Sequence, residues 1–136
     1  MEKSIAHEIA QKYLNMVCDQ LKLPVTDVIS KSRKRELCEA RQVSSFVIRK
    51  YTSLSQADVA MLLNYKDHAS VWRDETNVPE LAQFNKFFAQ KIRPVLLKAK
   101  KLHEDILTDE LEMKFIEDED VFDFYSEVAF EQPIKS

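Results

Sequence analysis

The sequence predicts an all-α fold, and three observations support that prediction. Apolar residues recur at intervals of three and four along most of the first 100 positions, which is the spacing of one helix face. None of the 136 residues is glycine, and the tight turns of β-hairpins usually need glycine at positive φ. Hydrophobic residues make up 45% of the chain, enough for a chain of this length to bury a core.

The spacing of apolar residues at the start of the chain predicts an amphipathic helix over residues 3 to 22, followed by a short helical turn over residues 25 to 30. Pro24 separates the two, because proline ends a helix or begins the next one. The apolar positions of the first helix lie on one stripe and are expected to be buried. They are Ile5, Ile9, Tyr13, Met16, Val17 and Leu21.

A basic cluster over residues 31 to 35 leads into a second long helix, predicted over about residues 35 to 51. Lys31, Arg33, Lys34 and Arg35 supply four positive charges in five residues. The buried face of the helix is predicted from its apolar spacing. Its members are Leu37, Ala40, Val43 or Ser44, Val47 and Tyr51.

Residues 55 to 77 predict a helix-turn-helix. A short helix over about residues 56 to 63 follows Ser55, a natural N-cap. The turn contains Asn64, the residue expected at positive φ because asparagine tolerates the left-handed region best after glycine. Asp67 is expected to cap a further helix that begins at about residue 68. Two helices joined by a tight turn form this motif.

Pro79 is expected at the first position of an additional helix over residues 79 to 103, since proline is favoured there. Trp72 is expected in the core, and so is the aromatic stripe Phe84, Phe87 and Phe88. The predicted organisation is therefore a helical domain over residues 1–78, the additional helix, and a C-terminal segment over residues 104–136.

Charge divides the chain into a basic body and an acidic tail. Residues 1–103 carry 18 Lys and Arg against 11 Asp and Glu, whereas residues 104–136 carry two against 12. Three roles of the tail stay open: a solvated extension, a competitor that folds back on the basic face, or a docking segment for a protein partner. Its aromatic residues favour packing or docking. They are Phe115, Phe122, Phe124, Tyr125 and Phe130.

No chemistry of an enzyme is indicated. The missing glycine excludes a phosphate-cradling loop, and therefore a nucleotide ligand of the usual kind. We find no metal-ligand spacing and no nucleophile-base pair, so neither a cofactor nor a catalytic site is predicted. Cys18 and Cys38 are expected to be buried thiols in a reducing compartment. The chain shows no signal peptide and no apolar run of about 20 residues, so we expect a cytoplasmic protein without a membrane partner.

Three motifs carry a resemblance. They are Lys31-Ser32-Arg33-Lys34-Arg35-Glu36-Leu37 with Glu39-Ala40-Arg41-Gln42, then Thr52-Ser53-Leu54-Ser55-Gln56-Ala57-Asp58-Val59-Ala60, and Lys66-Asp67-His68-Ala69-Ser70-Val71. With these motifs, residues 23–78 resemble the DNA-binding C-terminal domain of the bacterial replication initiator DnaA. The resemblance implies a Trp-repressor-like helix-turn-helix that reads duplex DNA, in replication or transcription control. It implies a free-standing domain without the ATPase module, as occurs on phages and mobile elements, and nucleoid association.

The resemblance also assigns roles to residues. The arginine at the position of Arg33 enters the minor groove in that family. The positions of Asp67, His68, Ala69 and Ser70 face base edges in the major groove. The remaining positions lie near phosphates or complete the predicted DNA-binding set: Lys31, Arg35, Arg49, Thr52, Gln56, Lys66 and Arg73.

The chain departs from the family pattern at three places. Ala69 and Ser70 stand where the family has threonines, and the dipeptide 64–65 replaces the turn glycines. Asp74 and Glu75 follow where basic residues are usual, and two carboxylates near phosphates are expected to oppose DNA binding. The alternative hypothesis is therefore a protein-interaction module on the same scaffold, which has lost DNA binding and uses its acidic surface or tail.

Overall fold

The computed structural model describes residues 3–117, with side chains over residues 5–109. This part of the chain contains six α-helices and no strand, which confirms the all-α prediction. The helices are α1 (Lys3–Leu21), α2 (Val25–Val28), α3 (Arg35–Tyr51), α4 (Gln56–Leu62), α5 (Ala69–Phe84) and α6 (Lys86–Glu117). The predictions for the tail aromatics beyond residue 109 lie outside the described side chains.

The chain divides into two compact units, Met1–Lys100 and Lys101–Ser136. In the first unit α3 is the central helix, and α1, α2, α4 and α5 all pack against it. All predicted positions of the α3 face except Tyr51 are buried, and both Val43 and Ser44 belong to it. Tyr51 is half-buried, and its ring stacks on that of Tyr13 from α1 with centroids 5.6 Å apart.

The predicted apolar stripe of α1 is confirmed in the middle of the helix, but the prediction is wrong at its first position. Ile9, Tyr13 and Val17 are buried, whereas Ile5 is exposed. Cys18 is buried as predicted, and burial raises the pKa of its thiol to about 11, so the thiolate is scarce at neutral pH. Cys38 is only half-buried.

The prediction that Pro79 begins a new helix is wrong. Pro79 lies inside α5, and its side chain is exposed while Val71 and Val78 are buried. The helix therefore continues through a residue that lacks an N–H donor, with the proline on its exposed face. The break comes at Asn85, whose φ of −122° and ψ of 105° are extended. Its Oδ1 accepts the backbone N–H of Phe88 at 3.1 Å, which caps the start of α6.

The additional helix therefore begins at Lys86 and continues past residue 103 to Glu117. Its residues in the first unit bury an apolar stripe at spacings of three and four, consisting of Phe88, Ile92, Val95 and Ala99. An ion pair between Lys91 Nζ and Glu39 Oε1, at 3.2 Å, connects this part of α6 to α3.

The aromatic residues are distributed differently from the prediction. Phe88 is buried as expected, but Trp72, Phe84 and Phe87 are 57%, 76% and 85% exposed. The buried face of α5 contains Val71 and Val78, and both Trp72 and Phe84 lie well away from that stripe at the helical period. The prediction of a packed core position is therefore wrong for three of these four rings.

Candidate nucleic-acid interface

The helix-turn-helix consists of α4, the turn over residues 63–68 and α5. Ser55 caps α4 as predicted, because its Oγ accepts the backbone N–H of Asp58 at 3.1 Å. Asn64 has a φ of 62°, which confirms the expectation for this turn. The N-cap of α5 is His68, whose side chain makes no capping hydrogen bond, so the prediction that Asp67 is the cap residue is wrong. From the position before the cap, Asp67 Oδ1 accepts the backbone N–H of Ala69 at 3.0 Å.

The basic loop, residues 29–34, connects α2 to α3. Arg41 on α3 holds it, since its Nε donates to the Val28 carbonyl at 2.6 Å and its guanidinium also donates to the Ser32 carbonyl. Two hydroxyls brace the loop from within. Ser30 Oγ accepts the N–H of Ser32 at 3.2 Å, and Ser32 Oγ accepts the N–H of Lys34 at 3.3 Å. The loop therefore has a defined backbone path.

Two hydrogen bonds join the basic loop to the turn of the helix-turn-helix. Asn64 Nδ2 donates to the carbonyl of Ile29 at 2.9 Å. In the opposite direction, Lys31 Nζ donates to the carbonyl of Asn64 at 2.7 Å. Segments more than 30 residues apart in sequence, both predicted to contact DNA, are thus adjacent in space.

The side chains predicted to read DNA are accessible around this junction. Arg33, Lys66, Asp67, His68 and Ala69 are exposed. Within the part of the chain that the structure describes, the Arg33 guanidinium has no hydrogen-bond or ion-pair partner, so it is available to a ligand.

A cleft of about 310 Å³ runs beside this surface, between α3 and α5. Its lining brings the predicted Ser70 and Arg73 together with Arg41 and Gln42. The Arg73 guanidinium donates to Ser70 Oγ at 3.0 Å. Four polar or cationic side chains of two helices therefore meet beside the tip of α5.

The other predicted phosphate contacts are not part of the basic loop, although Arg35 follows it directly. Gln56 is the first residue of α4. Thr52 Oγ1 donates to the carbonyl of Ile48 at 2.7 Å and accepts the N–H of Leu54 at 3.3 Å, so it shapes the connection between α3 and α4. Arg35, the first residue of α3, lines a second cleft with Phe87 and Lys91.

Arg49 is engaged within the fold. Its Nε pairs with Glu75 Oε1, and its Nη1 donates to the carbonyl of Leu54 at 2.8 Å. The guanidinium is about one-third exposed, and its role at phosphate stays a prediction. The pair also neutralises Glu75, so this carboxylate is not a bare negative charge beside DNA, contrary to the expectation from sequence.

Asp74, which the sequence suggested would oppose DNA binding, is a buried carboxylate, and its effect on DNA stays a prediction. Only 5% of Asp74 is exposed, and Tyr65 Oη donates to its Oδ2 at 2.6 Å. Burial raises the pKa of Asp74, while the hydrogen bond from Tyr65 and the nearby Arg73 and Arg41 charges act in the opposite direction. Burial and the adjacent Asp74 also raise the pKa of Tyr65. The tyrosine in the turn and the aspartate of α5 therefore satisfy each other.

Sequence reasoning missed the structural partners of this surface. Arg41 belongs to one of the three motifs that resemble the family, but its sequence neighbours do not show that it donates hydrogen bonds to the basic loop. Asn64 was expected for its backbone conformation alone, and its amide bond to Ile29 was not foreseen. Tyr65 stood out in the sequence only because it departs from the family pattern. No neighbouring residue indicates that its hydroxyl donates to Asp74, nine positions later.

Comparison with known proteins decides the family. The family model described as the bacterial dnaA protein helix-turn-helix matches residues 10–78, which is half of the chain and includes the whole junction described above. The chain belongs to this family. The DnaA family domain is a DNA-binding helix-turn-helix and not a catalytic domain, in agreement with the prediction of a non-enzymatic role.

Curated relatives are chromosomal replication initiator proteins DnaA. The protein of Gloeobacter violaceus is 43% identical over 58 residues, which cover 43% of this chain and 13% of the relative. That of Bacteroides thetaiotaomicron is 32% identical over 89 residues, covering 64% of this chain and 19% of the relative. The chain thus spans less than a fifth of these relatives. No solved structure matches it significantly.

None of the described helices is long and apolar enough to cross a membrane. Across residues 5–109, no group of three or more His, Cys, Asp or Glu side chains is placed to hold a metal ion.

Proposed function

We propose that this chain binds duplex DNA with a sequence preference and acts in replication or transcription control. The observation that carries the proposal is the junction of the basic loop with the turn of the helix-turn-helix. It brings the exposed Arg33 and the exposed tip of α5 into one cation-rich surface. Such a protein would work on the nucleoid.

The two parts of this surface suit the two grooves of a duplex. The first residues of a recognition helix contact base edges in the major groove. Here Ala69 and Ser70 begin α5, and Asp67 and His68 directly precede it. A planar guanidinium is attracted to a narrow minor groove, where the negative potential is enhanced, and Arg33 supplies one. Cations near phosphates, among them Lys31 and Lys66, would add affinity by releasing condensed counterions.

An anisotropy titration against salt tests the proposal. The full chain is titrated into labelled duplexes that carry either the initiator box or a shuffled sequence, from about 50 to 300 mM salt. Each neutralised phosphate contributes a slope of about −0.9, so the three phosphate-facing cations Lys31, Arg35 and Lys66 predict a slope of about −2.7. The box duplex is expected to bind more tightly than the shuffled one. Absence of measurable binding at the lowest salt would overturn the proposal.

Glu75→Gln is expected to strengthen binding to both duplexes by several-fold. The substitution removes the ion-pair partner of Arg49, so the guanidinium becomes available to phosphate and the salt slope steepens by about 0.9. Glu80→Gln makes the same charge change at an exposed position of α5 and serves as the control. Equal effects of the two variants would mean that Arg49 serves the fold alone.

A protein-interaction role is the second candidate, and one observation favours it. Trp72, Phe84 and Phe87 are large, exposed aromatic side chains, and exposed aromatic surface is typical of protein contacts. Under this hypothesis the salt titration shows no DNA binding, and replacement of Trp72 and Phe84 by serine leaves the fold intact but abolishes capture of the partner.

A further inference from the structure

We propose that Asn64 is a positioning residue, which holds the basic loop and its Arg33 in register with the helix-turn-helix. The inference rests on the proposed function, because the register matters for a duplex that both elements contact. In this role Asn64 acts through Ile29 and Lys31 and need not touch DNA.

The position makes two demands, and asparagine meets both. A φ of 62° is most easily adopted by glycine and next by asparagine. Glycine would satisfy the backbone and supply no donor. Asparagine adds an Nδ2 that reaches the Ile29 carbonyl at 2.9 Å, while its own carbonyl accepts Lys31 Nζ at 2.7 Å. The side-chain bond is therefore a property of this residue and not of the turn conformation.

The basic loop is held in two different directions. Arg41 binds the carbonyls of Val28 and Ser32 and so fixes the loop to α3. The bonds of Asn64 and Lys31 instead run from the loop to the turn before α5. Loss of the Asn64 amide would leave the loop attached to α3 but less constrained relative to the recognition helix. An arginine bound for one groove and a helix bound for the other must match the same duplex, so this freedom lowers affinity.

A double-mutant cycle separates positioning from a general loss of structure. Asn64→Gly keeps the backbone conformation and removes the amide donor. It is expected to weaken binding of the box duplex roughly fivefold, the effect of one net hydrogen bond. On an Arg33→Ala background the same change is expected to weaken binding less than about twofold, because the group being positioned is gone. Equal effects in the two backgrounds would overturn the inference.

Hydrogen exchange of the free protein gives a readout that does not depend on DNA. In Asn64→Gly the amides of Ser32 and Lys34, which bond to hydroxyls inside the loop, are expected to exchange several-fold faster. Amides in the middle of α5 should be unchanged. Unchanged exchange in the loop would overturn the inference even if DNA binds. If the wild-type chain binds no DNA but loop amides exchange faster in Asn64→Gly, the proposed function is refuted. The role of Asn64 in holding the basic loop is then still supported.

Lys22→Gly is the matched control. Lys22 is the other described residue at positive φ, 59°, and it follows α1, far along the chain from the turn. Both variants place glycine at a left-handed position and gain unfolded-state freedom, but only Asn64→Gly removes a bond to the basic loop. Lys22→Gly is expected to change DNA affinity less than about twofold. A fivefold loss in this variant too would assign the effect to glycine itself and refute positioning.

Discussion

Replacement of Arg33 by alanine is expected to weaken duplex binding by about tenfold or more. The guanidinium is exposed and has no partner among the described residues, so it loses nothing inside the protein when it enters a minor groove. A planar cation in a narrow groove meets enhanced negative potential, and one groove contact is worth about 1–3 kcal/mol. The measurement is anisotropy at fixed salt with the box duplex.

The Arg33→Ala substitution is expected to leave the stability of the fold nearly unchanged. Because the side chain is exposed and has no hydrogen-bond or ion-pair partner among the described residues, the free energy of unfolding is expected to stay within about 0.5 kcal/mol of the wild type. Arg93→Ala, an equal charge change at an exposed position of α6, is the control and should cost about twofold at most. Arg33→Lys should bind with intermediate affinity, since lysine keeps the charge without the planar fork. Equal losses for the Arg33 and Arg93 variants would mean that net charge alone matters.

Tyr65→Phe is expected to cost about 2 kcal/mol of the free energy of unfolding at neutral pH. The change removes the hydroxyl that donates to Asp74 Oδ2 at 2.6 Å and leaves a buried carboxylate without that donor. A buried acceptor that loses its partner bears its full desolvation penalty, which is larger for a charged group. Urea denaturation of the two proteins measures the difference.

The cost should fall as the pH falls. Burial raises the pKa of Asp74 in the folded protein, so the stability linked to this group is present at low pH and is lost as the pH rises through the raised pKa. Removal of the Tyr65 donor raises that pKa further and enlarges the loss. The difference between wild type and variant is therefore largest at neutral pH and smallest below about pH 4, the ordinary pKa of aspartate.

An Asp74→Ala background provides the control for this pair. With the carboxylate gone, Tyr65→Phe should cost less than about 1 kcal/mol, because the hydroxyl then loses no charged acceptor. A cost that is the same in both backgrounds, or that does not change with pH, would contradict the account of these two residues as mutual partners.

Local features of the sequence predicted the central helices well. The bounds of α3 agree with the prediction, and α4 differs by one residue at its end. Helical spacing and an N-cap serine act over three or four residues, so the information lies within each segment. The positive φ of Asn64 is a local property too, because it depends on the tolerance of a single side chain for the left-handed region.

Predictions that depended on neighbouring elements were less successful. Trp72, Phe84 and Phe87 were expected in the core because of their size and spacing, yet no other described element covers them enough to bury them. Pro79 was expected to begin a helix because that is its preferred position, but it lies inside α5, directly after the buried Val78. Burial depends on what packs against a face, and this is not encoded in the periodicity of the face itself.

The sequence by itself determined the all-α class, the place of the helix-turn-helix and the resemblance to the DnaA domain. The tertiary structure alone decided how the departures at residues 64–65 and 74–75 are accommodated. Tyr65 and Asp74 bond to each other, Glu75 pairs with Arg49, and Asn64 binds the basic loop. Helix formation depends on energies between residues up to four apart, which spacing reveals. These three contacts join residues nine to 35 positions apart, and only the folded chain brings them together.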